Sequence, residues 1–166
     1  MMSQDETTPD GLGQDMLETE IRDLKSRTII IVDDDVSFRE SLVSLVKSFG
    51  FQPRPFGSAE DLLASDALKD GACLITDVQM PGMSGLELQT ALRASGCEIP
   101  VIVVTSFPDP HVRQRAMASG AIAVLRKPFD REEMLSLLQS VFRGPRPDQA
   151  KSAVAADMPH IRRGGV

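Results

Sequence analysis

Five short apolar runs divide the middle of the chain, and each ends at a polar residue or a turn. The runs are continuous rather than alternating, and most are rich in β-branched residues. Such runs are typical of parallel strands buried on both faces of a sheet. Pro53 and Pro55 confine the second run to a sheet edge, because proline offers no N–H to a neighbouring strand. The predicted strands are Thr28–Val32, Phe51–Phe56, Cys73–Thr76, Pro100–Thr105 and Ile122–Leu125.

Apolar residues recur at helical spacing between these runs, and residues that favour helix ends stand beside them. Ser58, Asp109 and Asp130 each have the side chain and the setting of a helix N-cap. The helix from about Ser84 to Ala94 is expected to turn Leu88, Ala91 and Leu92 inward. The first helix, which ends at Gly50, is expected to turn Phe38, Leu42, Leu45, Val46 and Phe49 to one side.

Alternation of strand and helix predicts the fold class. Five strand–helix pairs in succession indicate an α/β fold, a doubly wound five-stranded parallel sheet with helices on both faces and right-handed crossovers. We expect the folded domain to cover residues 27–143. Residues 1–26 form an N-terminal extension, partly disordered, with a short helix over 14–25. Residues 144–166 are expected to be a flexible tail.

Composition and charge narrow the function classes. No apolar run approaches membrane-spanning length, and the polar N-terminus is unlike a signal peptide. Cys73 and Cys97 have neither metal-ligand spacing nor a disulfide framework, so a reducing cytoplasm is expected. Residues 28–142 carry fifteen acids and ten bases, which argues against nucleic acid as the main partner.

Polar side chains gather where the predicted strands end. Asp33 and Asp34 follow the first strand, Asp77 follows the third, Thr105 ends the fourth and Lys127 follows the fifth. In an open α/β sheet, ligands bind at the carboxyl ends of the strands. If the first and third strands are neighbours, three carboxylates converge and need a cation, for which Mg²⁺ is suited. A hydroxyl and an ammonium beside them suit phosphoryl oxygens, so the set predicts phosphoryl transfer onto a carboxylate.

Each of these residues also has a simpler interpretation. The acidic run Asp33-Asp34-Asp35 could be a solvated helix start, which the helix dipole favours. Thr105 could be one more β-branched strand residue, and Lys127 a surface charge. Each interpretation is reasonable alone, but all of them together at four strand ends are improbable.

The chain resembles the receiver domains of two-component response regulators, the CheY-like superfamily, in a FixJ-type variety. The resemblance covers about residues 27–143. The matching motifs are Val32-Asp33-Asp34, Asp77, Met80-Pro81-Gly82-Met83-Ser84-Gly85, Thr105-Ser106 and Lys127-Pro128-Phe129. The resemblance implies a flavodoxin-like strand order 2-1-3-4-5 and a cis peptide bond before Pro128.

The same resemblance implies the roles of the site residues. Asp77 would accept a phosphoryl group from a sensor histidine kinase or a phosphotransfer protein, with Thr105 as the switch hydroxyl and Lys127 beside the phosphoryl group. Asp34, Asp77 and the backbone carbonyl of Gln79 would hold Mg²⁺ directly, and Asp33 would act mostly through water. Such a domain is not an enzyme apart from the turnover of its own phosphate.

Two departures from the family pattern shape the functional prediction. The family usually has Tyr or Phe three residues before the lysine, and this chain has Val124. Only 23 residues follow Arg143, too few for a DNA-binding helical domain. We therefore expect a single-domain regulator whose phosphorylation switches a protein-binding surface for a downstream protein target, with a homodimer as a further option.

Two other functions compete with this prediction. Asp33-Asp34-Asp35-Val36-Ser37 is similar to the nucleophile motif of haloacid-dehalogenase-type phosphatases, which would make Asp33 the nucleophile. However, no later acidic pair follows Thr105 or Leu125, and Asp77 would be left without a role. A degenerate receiver that acts only as a scaffold is disfavoured, because every residue for phosphorylation is present.

Overall fold

The computed structural model describes residues 26–143, together with Glu18, Thr19 and Arg22. Those three earlier residues are helical, and the rest of the helix predicted over 14–25 lies outside the described residues. The predicted tail at 144–166 lies outside them as well. The described residues fall into two compact units, one ending at Phe129 and the other beginning at Asp130.

The first unit is a five-stranded parallel sheet in the order β2-β1-β3-β4-β5. The predicted fold class and strand order are therefore confirmed. The strands are β1 (Thr28–Val32), β2 (Gln52–Phe56), β3 (Gly71–Asp77), β4 (Val101–Thr105) and β5 (Ala123–Arg126). The helices of this unit are α1 (Val36–Ser48), α2 (Ala59–Leu63), α3 (Ala67–Asp70), α4 (Gly85–Ala94) and α5 (Pro110–Ala118).

The sheet is buried on both faces, as the continuous apolar runs predict. Ile30 and Val32 of β1 belong to one apolar cluster with buried residues of α2, α3, α4 and α5. Ile29 and Ile31 point to the opposite face and are equally buried. Right-handed crossovers place α1 on that opposite face, because the direction of the chain across the sheet reverses after β2. Each buried isoleucine of β1 contributes about 2 kcal/mol by leaving water.

The strand β2 lies at the edge of the sheet, where its two prolines place it. Pro53 and Pro55 have no N–H to donate, and β2 pairs only with β1. β1 pairs with β3 on its other side, so the carboxyl ends of β1 and β3 are neighbours. This neighbourhood is the condition on which the predicted carboxylate cluster depends.

One short helix replaces a predicted turn. The sequence predicts a turn at Lys69-Asp70-Gly71, whereas α3 covers Ala67–Asp70 and β3 begins directly at Gly71. Glycine suits this position because a Cβ atom there would crowd the Ile30 Cδ1 atom and require that side chain to shift. β3 starts two residues earlier than its apolar run indicates.

The helix α4 holds the C-terminal end of α5 through side chains one turn apart. The Gln89 Nε2 atom donates to the Ala116 carbonyl at 3.0 Å, and the Arg93 Nε atom donates to the Ser119 carbonyl at 3.0 Å. Gln89 is buried, and its Oε1 atom has no hydrogen-bond partner within the described part of the chain. The predicted inward face of α4 is confirmed at Leu88 and Leu92, which are buried. Ala91 is only half-buried, and the buried Gln89 was not predicted.

The second unit contributes the helix α6 (Arg131–Arg143). Glu132 and Glu133 lie in its first turn, where acidic side chains favour the helix dipole. Met134 and Leu138 are its buried residues, four apart as an apolar helix face requires. Among the described residues, no helix is both long enough and apolar enough to cross a membrane.

Candidate functional site

Three carboxylates meet at the carboxyl end of the sheet. Asp33 directly follows β1 and Asp77 ends β3, and one oxygen from each of Asp33, Asp34 and Asp77 lies within 4.8 Å of the others. Asp33 and Asp77 are buried, while Asp34 is exposed to solvent. The parallel pairing of β1 and β3 brings these residues together from positions more than forty apart in sequence.

The helix start that follows β1 fixes the orientation of the acidic run. Asp35 is the N-cap of α1, and its Oδ1 atom accepts the Phe38 N–H at 3.1 Å. Asp33 turns inward, and its Oδ1 atom accepts the Asp35 N–H at 2.9 Å. The simpler interpretation of the run, a helix start, therefore holds for Asp35, and Asp33 and Asp34 are left for the cluster.

Lys127 brings a positive charge into the cluster. Its Nζ atom lies 2.7 Å from the Asp33 Oδ2 atom and 3.4 Å from the Asp77 Oδ2 atom. The Lys127 N–H donates to the Thr105 carbonyl at 2.8 Å, which ties the end of β5 to the end of β4. With all three carboxylates ionised, one ammonium leaves two negative charges uncompensated, which matches a divalent cation.

Burial of the Asp77 carboxyl disfavours its ionised form. Removal of its carboxyl from water raises the pKa of Asp77, and the charge of Asp33 raises it further. The Lys127 ammonium and a hydrogen bond from the Gln79 backbone act in the opposite direction, but the pKa remains above its ordinary value. A cation beside Asp77 would favour its ionised form.

The loop after Asp77 folds back tightly on the strand end. The Gly85 N–H donates to the Val78 carbonyl at 3.0 Å, and a Cβ atom on Gly85 would collide with the Asp77 carbonyl oxygen. Ser84 and Glu87 form a reciprocal capping box that begins α4 at this point. Gly85, the last glycine of the Met-Pro-Gly-Met-Ser-Gly loop, is thus required because no side chain fits beside the Asp77 carbonyl.

The loop leaves the Gln79 backbone beside the Asp77 carboxylate. The Gln79 carbonyl as a metal ligand stays a prediction.

Thr105 ends β4 at the same edge of the sheet, and its side chain is buried. Its hydroxyl is engaged with the next loop, where the Oγ1 atom accepts the Phe107 N–H at 3.1 Å and donates to the Phe107 carbonyl at 3.3 Å. The Phe107 side chain itself is 64% exposed. The threonine hydroxyl therefore links the site to a loop that presents a large apolar side chain to solvent.

Two residues of the site were not predicted from the sequence. The Arg39 Nη1 atom donates to the Asp33 carbonyl at 2.6 Å, and the Phe38 ring centroid lies 3.8 Å from the Lys127 Nζ atom. The helical pattern assigned Phe38 to the apolar face of α1. Its position in the first turn of α1, a helix that begins beside the acidic run, was the sequence feature that could have placed Phe38 near the site.

The donor set fits Mg²⁺. All members of the cluster offer hard carboxylate oxygens, which this ion prefers to nitrogen or sulfur ligands. Mg²⁺ also keeps several waters when it is bound, and the exposure of Asp34 leaves room for them. The two uncompensated negative charges of the cluster also match a divalent cation such as Mg²⁺.

Together, the fold and the site define a flavodoxin-like domain with an acidic pocket at the carboxyl edge of its sheet. The chain belongs to the family of response regulator receiver domains, whose model matches residues 29–139. Proteins of this family take part in the phosphoryl transfer of two-component signalling, and the cis peptide bond predicted at Lys127–Pro128 is present.

The comparison with known proteins agrees with this family. The chain is 41% identical over 107 residues to nodulation protein W of Bradyrhizobium diazoefficiens, covering 64% of this chain and 47% of that protein. It is 32% identical over 130 residues to the transcriptional regulatory protein FixJ of the same organism, covering 78% of this chain and 63% of that protein. The match thus spans less than two thirds of either relative.

A solved structure from another organism has the same fold. The chemotaxis protein CheY4 of Vibrio cholerae superposes with a TM-score of 0.64 at 30% identity, covering 70% of this chain and 98% of that chain. The likeness therefore extends over nearly the whole of that chain.

The raised pKa of Asp77 predicts how its charge affects stability. Because the folded state holds the Asp77 proton more tightly than the unfolded chain, ionisation of Asp77 costs stability as pH rises above the ordinary aspartate range. In EDTA at neutral pH, Asp77→Asn should raise the thermal midpoint by at least about 2 °C. The difference should disappear at a pH low enough to protonate both states. Asp70→Asn changes an exposed acid directly before β3; it is the control and should change the midpoint little. A lower midpoint for Asp77→Asn at neutral pH would contradict this expectation.

Proposed function

We propose that this chain is a Mg²⁺-dependent phosphoryl acceptor that takes a phosphoryl group on Asp77 and thereby switches a protein-binding surface. The donor is a sensor histidine kinase or a phosphotransfer protein. The observation that carries the proposal is the position of the Asp77 carboxylate, 3.4 Å from the Lys127 ammonium and within 4.8 Å of two further carboxylates.

The hydrogen bonds of the cluster favour Asp77 over Asp33 as the nucleophile. Asp33 is held more tightly than Asp77, since its Oδ2 atom lies 2.7 Å from the Lys127 Nζ atom, against 3.4 Å for the Asp77 Oδ2 atom, and its Oδ1 atom accepts the Asp35 N–H. Asp33 is also only 2% exposed, against 9% for Asp77. This arrangement argues against a phosphatase with Asp33 as nucleophile, and no other observation in the described residues favours that function.

The same contacts suggest how the metal is held. Asp34 and Asp77 would bind Mg²⁺ directly with the Gln79 carbonyl, while Asp33, whose oxygens are engaged, would act through water. Bound Mg²⁺ offsets the negative charge of the phosphoryl oxygens. The side chains of this chain then orient the group that is transferred.

The transfer itself is a displacement at phosphorus. An Asp77 carboxylate oxygen attacks the phosphorus atom, and the bond from phosphorus to the donor histidine nitrogen breaks with its electron pair left on the imidazole. The Lys127 ammonium stabilises the negative charge on the phosphoryl oxygens. The Thr105 hydroxyl donates to another of these oxygens after it leaves the Phe107 carbonyl.

The movement of Thr105 supplies the switch. When its hydroxyl turns to the phosphoryl group, the backbone N–H and carbonyl of Phe107 lose their side-chain partner. The far end of α5 is held by Gln89 and Arg93 of α4, so the change is directed to the loop around Phe107 and the start of α5. Val124, a half-buried β-branched residue, has too little rotamer freedom to report the movement as an aromatic ring would.

The partners of the switched surface follow from its chemistry. The exposed Phe107 side chain would contact a downstream protein target in the phosphorylated state, or a second copy of this chain. No DNA-binding role is proposed for the described domain. The cytoplasmic location predicted from the sequence stays a prediction, supported by the two cysteines, which are both free thiols.

Phosphoryl uptake tests the acceptor role directly. With acetyl phosphate and Mg²⁺, the intact mass of the wild-type chain should increase by one phosphoryl group, because the cation offsets the charge that otherwise repels the donor. Asp77→Asn should remove this labelling, EDTA should reduce it at least about tenfold, and Asp70→Asn should keep it. Equal labelling of wild type and Asp77→Asn, or full labelling in EDTA, contradicts the proposal.

The output role of Phe107 is tested with the stable phosphoryl mimic beryllofluoride. A partner that the chain retrieves only in its presence is purified, and its affinity is measured by calorimetry. Phe107→Ala should weaken that affinity at least about tenfold, as loss of a large apolar contact does, while labelling of Asp77 stays near normal. Met117→Ala, which truncates a second exposed apolar side chain, within α5, is the control. Unchanged affinity together with faster loss of phosphate would show instead that Phe107 only shields the site from water.

A further inference from the structure

An aromatic ring completes the surroundings of the Lys127 ammonium. Phe38 lies in the first turn of α1, and its ring centroid is 3.8 Å from the Lys127 Nζ atom. This distance is well within the range of a cation–π interaction, in which the negative face of the ring attracts the cation. The Lys127 side chain is only 12% exposed, so the contact is largely shielded from solvent.

The ammonium is shared unequally between its two carboxylate partners. The Asp33 Oδ2 atom lies at 2.7 Å and the Asp77 Oδ2 atom at 3.4 Å, so the shorter ion pair favours Asp33. The ring supplies a third attraction without a competing anion. A water molecule in its place could bind the ammonium and let it move toward Asp33.

Two segments hold the Phe38 ring beside the ammonium: the first turn of α1, and the segment from Lys127 to Phe129. The Phe38 N–H is fixed by the Asp35 cap at 3.1 Å. The rings of Phe129 and Phe38 pack in a T-shaped arrangement, with centroids 6.0 Å apart and an interplanar angle of 84°. Phe129 lies two residues after Lys127, so the segment that carries the ammonium also braces the ring beneath it.

We propose that Phe38 is a positioning residue for phosphoryl uptake, which holds the Lys127 ammonium between Asp33 and Asp77 and keeps water from its exposed side. The inference rests on the proposed function, since it assigns Phe38 a part in the same transfer. An aliphatic side chain of similar size would exclude water but offer no negative face, whereas tyrosine would retain both properties.

The experiment measures the rate of Asp77 labelling by acetyl phosphate over a range of Mg²⁺ concentrations, with the full chain. For Phe38→Leu, the rate at saturating Mg²⁺ should fall about threefold to tenfold, the loss expected for one shielded cation–π contact. The Mg²⁺ concentration that gives half of that rate should stay within about twofold, because Phe38 has no side-chain oxygen to bind the metal. Phe38→Tyr should label at the wild-type rate within about twofold.

Leu45→Ala is the matched control for loss of packing on α1. Leu45 lines the same small cavity of about 170 Å³ as Phe38 and Phe129, but it makes no contact with the ammonium among those described. Its labelling rate should stay within about twofold of wild type. A wild-type rate for Phe38→Leu overturns the inference, and so does equal slowing of Phe38→Leu and Leu45→Ala, because general loosening of α1 would give that result.

A second measurement, the NMR spectrum of Lys127, begins with the wild-type chain. In the wild-type chain, the ε-methylene protons of Lys127 should resonate upfield of their ordinary position, because they lie near the face of the Phe38 ring. The shift should persist in Phe38→Tyr and disappear in Phe38→Leu. An ordinary resonance in wild type overturns the inference. Asp77→Asn in the same labelling assay separates the two proposals, since only failure of the acceptor role leaves that variant labelled.

Discussion

Repulsion among three carboxylates is the constraint around which this domain is organised. Asp33 and Asp77 are buried at the sheet edge and Asp34 stands beside them, with oxygens within 4.8 Å of one another. Ion pairing with Lys127 relieves part of the repulsion, yet the pKa of Asp77 remains raised because burial outweighs it. A bound cation would relieve the remaining repulsion, and in the proposed function it would link metal binding to the charge of Asp77.

The strand order is what makes this arrangement possible. Because β1 pairs with β3 and β3 with β4, residues that follow these strands meet at one edge of the sheet. The tight return at Gly85 then keeps the Gln79 backbone beside Asp77. On the other side, the Thr105 hydroxyl connects the site to the backbone of Phe107. The same edge thus holds the proposed phosphorylation site and the beginning of the proposed output surface.

The sequence predicted more of the fold than of the contacts within the site. The bounds of β1 and the caps at Ser58 and Asp109 agree with the structure, because they follow from local preferences. The strand order came from the family resemblance, since an apolar run shows that a strand is buried but not which strand lies beside it. The contact between Phe38 and Lys127 joins residues far apart in sequence and depends on side-chain placement that periodicity does not encode.

A crystal structure of the chain with Mg²⁺ and beryllofluoride would test the acceptor assignment most directly. We expect beryllium bonded to an Asp77 carboxylate oxygen, with the Lys127 ammonium and the Thr105 hydroxyl in contact with its fluorine atoms. The Thr105 hydroxyl should then have left the Phe107 backbone. Beryllofluoride bonded to Asp33, or a Thr105 hydroxyl that still binds Phe107 while Asp77 is occupied, would contradict the proposed acceptor and switch.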